Sequence, residues 1–161
     1  MKIVKTALLI SWFSLSSFSF IEPDEWKDFN QALITAQKEK KYILIDFYTD
    51  WCGWCKKMDS NTYGDAEVMK LLRTKFVAVK LNAEDNSKTV TIDGKTLTNS
   101  ELTRYFGING FPTTVFLDPE GNPITKVPGY IEKDKMIQIL NYFSSGSYKQ
   151  KTFVDFVAST K

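Results

Sequence analysis

Hydrophobic positions along this chain switch between a helical period and continuous apolar runs, and each switch marks an element. Trp26, Phe29, Leu33 and Ala36 recur at helical spacing behind Asp24, a capping residue, and the charged run Lys38-Glu39-Lys40-Lys41 closes that helix as a solvated face. Tyr42 to Tyr48 is too continuously apolar for a half-exposed strand, so it reads as a central strand covered on both sides. A helix is expected from Cys52 to about Ser60, interrupted by Asn61-Thr62-Tyr63-Gly64-Asp65 and resumed from Ala66 to Arg73 with Val68, Leu71 and Leu72 inward. Phe76 to Leu81 is a second strand. Thr89 to Ile92 and Lys95 to Leu97 flank Asp93-Gly94 as a hairpin or tight turn, and Ser100 to Phe106 is a short helix ended by a left-handed Gly107. Thr113 to Leu117 and Pro123 to Val127 are joined so briefly that they must run antiparallel. Lys133 to Phe143 is helical, and after Ser144-Ser145-Gly146-Ser147 a last helical turn or two presents Phe153, Phe156 and Val157 on one side. The pattern does not decide whether an edge strand precedes Trp26.

The 161 residues are 43% hydrophobic and 14% aromatic, with no repeat, low-complexity tract or interdomain linker, which suits one domain with a substantial core. Lys2 and Lys5 precede a mainly apolar stretch from Thr6 to Phe20, and Ser17 and Ser19 are small residues at the −3 and −1 positions of a cut after Ser19. That is the layout of a signal peptide over residues 1–19, with 20–161 as the mature domain. The stretch is shorter than the roughly 20 residues of a membrane helix, so an uncleaved anchor is the lesser alternative. Cleavage would remove Lys2 and Lys5 and leave 19 basic against 19 acidic residues, a balance that argues against nucleic acid or an anionic membrane surface as partner.

Cys52 and Cys55 are the only cysteines, and Cys52-Gly53-Trp54-Cys55 stands directly after the central strand, where a helix should begin. Two thiols at this spacing can close and reopen a disulfide while the fold stays put. A structural zinc site would need four ligands, and the chain has no further cysteine and no histidine. A c-type haem attachment would need His after Cys55, where Lys56 stands. The pair alone leaves redox exchange, a static disulfide, or a soft-metal thiolate site for Cu(I). An exported dithiol also meets oxidising surroundings and ends as a disulfide unless something resets it.

Four segments, in order, resemble the thioredoxin superfamily. Ile45-Asp46-Phe47-Tyr48-Thr49-Asp50-Trp51-Cys52-Gly53-Trp54-Cys55-Lys56 is similar to its active-site segment, and Val79-Lys80-Leu81-Asn82 to its next strand. Gly107-Ile108-Asn109-Gly110-Phe111-Pro112-Thr113 resembles the loop that carries a cis-proline, and Gly129 falls where the family has a glycine beside the active site. The resemblance implies an α/β thioredoxin fold, a central mixed β-sheet flanked by helices, with an extra C-terminal helical segment. Lys56-Lys57-Met58-Asp59, the Asp65 to Leu72 segment and the exported start resemble the thioredoxin-related, thiol:disulfide interchange proteins of the bacterial periplasm more than cytosolic thioredoxin.

At a helix N-terminus Cys52 is the expected attacking thiolate, and Cys55, one turn inside and more shielded, the resolving thiol. Asp46 on a strand read as buried should have a raised pKa and could pass the proton of the resolving thiol, with Lys80 on the next strand as its charged partner. Read without the resemblance, Asp46 would point into a polar rim and Lys80 would be a surface lysine. Pro112 either starts a strand or, as the resemblance implies, is cis and sets the Phe111 backbone against the disulfide for an extended client strand. Gly53, Gly110 and Gly129 complete the expected client surface, with Trp51, Trp54 and Phe111 as an aromatic groove. Trp54 replaces the proline that thioredoxins carry there and no imidazole stabilises the thiolate. The first implies a potential somewhat less negative than the roughly −270 mV of thioredoxin; the second is the ground for expecting a reductase, a direction the sequence itself leaves open. The expectation is therefore a monomeric exported thiol:disulfide oxidoreductase with no cofactor beyond the Cys52–Cys55 pair, acting on exported proteins and recharged by a membrane electron donor. An oxidase or isomerase, a binding or assembly module with a structural disulfide, and a Cu(I) carrier are the alternatives. The insertion from Glu84 to Asn99 has no role assigned by sequence.

Overall fold

The computed structural model describes residues 26–160. The proposed signal peptide and Asp24 lie outside the described residues. The first described element is not the expected helix but a short strand, β1 (Trp26–Lys27), and helix α1 (Phe29–Glu39) begins after it. Asp28 caps α1 by accepting the Asn30 N–H at 3.0 Å. Helical spacing misassigned Trp26 because parallel pairing of Trp26 with Ala78 and Lys27 with Val79 holds those two residues in the sheet.

Strand β2 (Tyr42–Tyr48) leads through the cysteine pair into helix α2 (Gly53–Met58), a π-helical turn (Asp59–Tyr63) and helix α3 (Ala66–Lys75). The helix expected to reach Ser60 thus stops at Met58 and widens. Gly64 makes that wide turn sterically open, because a Cβ there would sit 2.4 Å from the Ser60 carbonyl oxygen. Strand β3 (Phe76–Asn82) follows, and then the hairpin of β4 (Thr89–Ile92) and β5 (Lys95–Thr98). Asp93 and Gly94 turn that hairpin with φ of 49° and 70°, the left-handed pair that a two-residue loop requires. Helix α4 (Asn99–Tyr105) starts with a reciprocal Thr98–Glu101 capping box. Strands β6 (Thr113–Leu117) and β7 (Pro123–Pro128), helix α5 (Lys133–Ser144), a 3-10 turn (Ser147–Lys149) and helix α6 (Phe153–Ser159) complete the chain.

The five-stranded sheet has the order β1-β3-β2-β6-β7, with β2 parallel to β3 and antiparallel to β6. β2 is central, as its apolar run requires. Alternation along the strands divides the core in two. Ile43, Ile45, Phe47, Val77, Val79, Val115 and Leu117 face α1 and the β4–β5 hairpin, whose Val90 and Ile92 join them. Leu44, Phe76 and Phe116 face Met58, Val68, Leu72, Met136 and Leu140 on the opposite side. The 84–99 insertion is therefore a folded hairpin seated on α1. There Asn30 donates to the Thr89 carbonyl and accepts the Thr91 N–H, both at 3.0 Å. The C-terminal addition packs through Phe156, whose ring lies 5.3 Å from that of Tyr142 in the same core cluster.

This is the thioredoxin fold, a mixed central sheet flanked by helices with one helix added at the C-terminus.

Candidate active site

Cys52 and Cys55 are joined by a disulfide with Cα atoms 5.3 Å apart. Cys52 is the N-cap of α2, and its Sγ accepts the Cys55 N–H at 3.0 Å. A sulfur in that position receives one of the donors that a helix start leaves unused, which favours negative charge on Cys52 when the bond is open. Both cysteines are buried, at 4% exposure for Cys52 and 2% for Cys55. The expected contrast between a reachable and a shielded sulfur is thus small in the disulfide form, because the surface is taken by their neighbours. Trp51 is 69% and Trp54 57% exposed, and Gly53 is exposed as well.

The Phe111–Pro112 peptide is cis, and the Pro112 carbonyl accepts the Gly129 N–H at 2.8 Å. Gly110 and Gly129 are exposed, Phe111 half-buried and Pro112 buried. The aromatic groove is arranged differently from the expectation. Phe111 meets Trp51 edge to face at 6.1 Å, whereas Trp54 packs on Tyr130 at 5.6 Å, so two aromatic pairs flank the disulfide. Lys57 lies over both rings of the second pair, 4.9 Å from the Trp54 centroid and 5.3 Å from that of Tyr130.

Near the end of β2 that leads into the cysteines, sheet register places Asp46 between Lys80 on β3 and Thr114 on β6. Alternation with Leu44 puts all three on the face covered by Met58 and Tyr63. Asp46 is 1% exposed and its Oδ1 has no hydrogen-bond partner; Thr114 Oγ1 and Tyr63 Oη lack one too. Burial pushes the Asp46 carboxyl up to about 7; the Lys80 charge opposes this and that of Asp59 adds to it. The polar-rim alternative for Asp46 does not hold. Lys80 is not its direct partner, however. The Lys80 ammonium is ion-paired with Asp59, on the π-helical turn, and held over the rings of Trp26 and Tyr48 at 5.4 and 5.2 Å. Its position beside Asp46 is set by strand register and its hydrogen bond by the turn above.

Sequence reasoning missed Asp59, Tyr130 and Glu84. Asp59 stands four residues after Cys55, one helical turn on, which was the available signal. Tyr130 directly follows Gly129, already expected beside the active site, which was its available signal; Glu84 reaches the site from the start of the insertion and carries none of its own. Glu84, at the start of the insertion, takes the Trp51 indole N–H with both carboxylate oxygens, at 3.0 and 3.1 Å. Among the described residues there is no cluster of three or more His, Cys, Asp or Glu side chains that could hold a metal ion, and no helix is long and apolar enough to cross a membrane.

Several known proteins are similar to this chain in sequence or in fold. The thiol:disulfide interchange protein DsbD of Actinobacillus pleuropneumoniae is 31% identical over 113 residues, 69% of this chain but 18% of that protein. Its namesake from Pseudoalteromonas atlantica is 32% identical over 107 residues, 65% of this chain and 16% of that protein. The chain thus matches less than a fifth of the length of these relatives. Among solved structures, a thioredoxin-fold protein from Helicobacter pylori superposes with a TM-score of 0.64 at 21% identity, over 75% of this chain and 80% of that one. The reduced C-terminal domain of Neisseria meningitidis DsbD superposes with a TM-score of 0.52 at 25% identity, over 69% of this chain and 90% of that domain. Residues 29–144, from the first residue of α1 to the last of α5, match the family of thioredoxin-like domains, and the chain belongs to that family.

Proposed function

We propose that this chain is an exported thiol:disulfide oxidoreductase that works mainly as a reductase of other exported proteins. The observation that carries the reading is the Cys52–Cys55 disulfide at the first turn of α2, with Cys52 Sγ on a backbone N–H and a buried carboxyl under the same sheet end. In the dithiol form, the Cys52 thiolate attacks one sulfur of a client disulfide and the other client sulfur leaves as a thiolate. Cys55 then gives its proton to the Asp46 carboxylate and attacks Cys52 Sγ. That step re-forms the Cys52–Cys55 bond and releases the second client thiolate. Two electrons pass from protein to client, and a membrane electron donor returns them. A carboxyl titrating at about 7 is near half ionisation at neutral pH, so it can both take and return that proton.

The reductase direction is supported by the absence of histidine from the chain, which leaves no imidazole beside the Cys52 thiolate. The N-terminal Lys2, Lys5 and Thr6–Phe20 pattern supports export, and the thiol:disulfide interchange in the name of the DsbD relatives supports the exchange activity. Insulin reduction by the dithiol form tests the activity, and a Cys55→Ser variant should hold clients as stable mixed disulfides through Cys52. A measured potential above about −150 mV would assign the oxidase direction instead.

A second reading is favoured by one observation, the near-complete burial of both sulfurs under exposed Trp51 and Trp54. On that reading the disulfide is structural and the tryptophans bind a partner. A failure of both insulin reduction and client trapping would select it.

A further inference from the structure

Two aromatic pairs and the backbone that links them form a collar that includes Cys52. Trp51 meets Phe111, with ring centroids 6.1 Å apart, and Phe111 is bonded to Pro112. The Pro112 carbonyl accepts the Gly129 N–H at 2.8 Å, Gly129 is bonded to Tyr130, and Tyr130 meets Trp54 at 5.6 Å. Gly53 and Cys52 return the path from Trp54 to Trp51. Cys52, 4% exposed, lies on this path between the two aromatic pairs.

The two halves of the collar are braced by opposite charges. Behind Trp51, Glu84 receives the indole N–H on both oxygens. Asn82 ties a second carboxylate to it, donating from Nδ2 to Asp50 at 3.1 Å while accepting the Glu84 N–H at 3.0 Å. An indole that gives its N–H to a carboxylate is polarised toward a more negative ring face, and Trp51 keeps 69% of its surface free to receive a cation. Behind Trp54 the brace is cationic only in net charge, because the Tyr130 hydroxyl donates to the Glu132 carboxylate at 3.3 Å and two lysines outweigh that one acid. Lys57 bridges the Trp54 and Tyr130 rings, and Lys56 is exposed beside it.

We infer that this collar selects its clients by charge order. Its occupant is an extended polypeptide segment whose reactive cysteine lies at the centre, with Lys or Arg on the flank over Trp51, Glu84 and Asp50, and Asp or Glu on the flank over Lys56 and Lys57. The exposed ring faces supply apolar contact to either flank, and the two charged braces fix which way round the segment lies. The inference rests on the oxidoreductase reading and names the client chemistry of that same site.

The test uses short blocked peptides with one cysteine, held as a mixed disulfide with 2-nitro-5-thiobenzoate. Their flanks run Arg-Cys-Glu, Glu-Cys-Arg, Glu-Cys-Glu, Arg-Cys-Arg and Gln-Cys-Gln. The dithiol form is kept charged with dithiothreitol, and coloured thiolate release is followed over the uncatalysed rate. Each turnover cuts one peptide disulfide, oxidises Cys52 and Cys55 to their disulfide, and frees peptide thiol and 2-nitro-5-thiobenzoate. One of the two mixed-charge orders should show a kcat/KM about five- to tenfold above the other at low salt, narrowing as ionic strength rises. Exchange of the braces in the double variant Glu84→Lys with Lys57→Glu should reverse the preferred order. Equal rates for the two orders, or a preference that survives the exchange, would overturn the charge-order inference and leave the activity standing. Release from none of the peptides, together with no insulin reduction, would instead overturn the oxidoreductase reading itself.

Discussion

Asp46→Asn probes the buried carboxyl through stability, with no client needed. Asn keeps the shape of Asp and cannot ionise, so the variant removes the titration and leaves the packing. In the folded protein Asp46 is pushed up to about 7 from an ordinary value of 3.8, chiefly by burial. Between those two values the native state keeps a proton that the unfolded chain has lost. Stability therefore falls as pH rises through the window, and the penalty is complete above the folded value. At about 1.4 kcal/mol per pH unit the full cost is about 4 kcal/mol, of which about 2 kcal/mol is already present at pH 5. The gap between Asp46→Asn and the parent should thus move by about 2–3 kcal/mol in favour of the variant between pH 5 and pH 9. Urea unfolding of the disulfide-closed proteins, read by tryptophan fluorescence, measures that gap at each pH. A gap that stays constant within about 0.5 kcal/mol would refute the claim that this carboxyl is destabilised by burial.

Three further outcomes are expected. Lys80→Met removes a positive charge that lowers the Asp46 pKa and frees the Asp59 charge that raises it, so the acid limb of the kcat/KM profile for insulin reduction should move to higher pH; an unmoved or acid-shifted limb would count against the coupling. Gly64→Ala places a methyl 2.4 Å from the Ser60 carbonyl oxygen, a backbone atom that cannot swing away, and should cost about 2 kcal/mol by urea titration as the π-helical turn is forced open; parental stability would mean that the turn yields freely. Thr62→Val deletes a buried hydroxyl that donates to the Ile131 carbonyl at 2.6 Å and should cost about 1–3 kcal/mol, since that carbonyl loses its donor. A neutral result would show that the tie between the π-helical turn and the segment before α5 carries no stability.

Much of this protein follows from local chemistry. The run Tyr42 to Tyr48 has no solvated face, so only a central strand accommodates it, and β2 is central. Two cysteines in a chain without histidine, placed after such a strand, narrow their own chemistry to a reversible or static disulfide or a soft metal. Asp93-Gly94 demands a turn with positive φ, and Thr98 with Glu101 starts a helix by exchanging hydrogen bonds within one turn. Other features lay beyond that reach. Trp26 has helical spacing but pairs with Ala78 from another element, and Asp59 draws Lys80 away from simple pairing with Asp46 because the chain widens into a π-helical turn there. The collar is assembled from positions 51, 54, 111 and 130, and its braces from 57 and 84. Periodicity, capping and turn chemistry act over a few residues and can be read along the chain. Contacts between residues tens of positions apart depend on strand order and register, and only the folded sheet sets those.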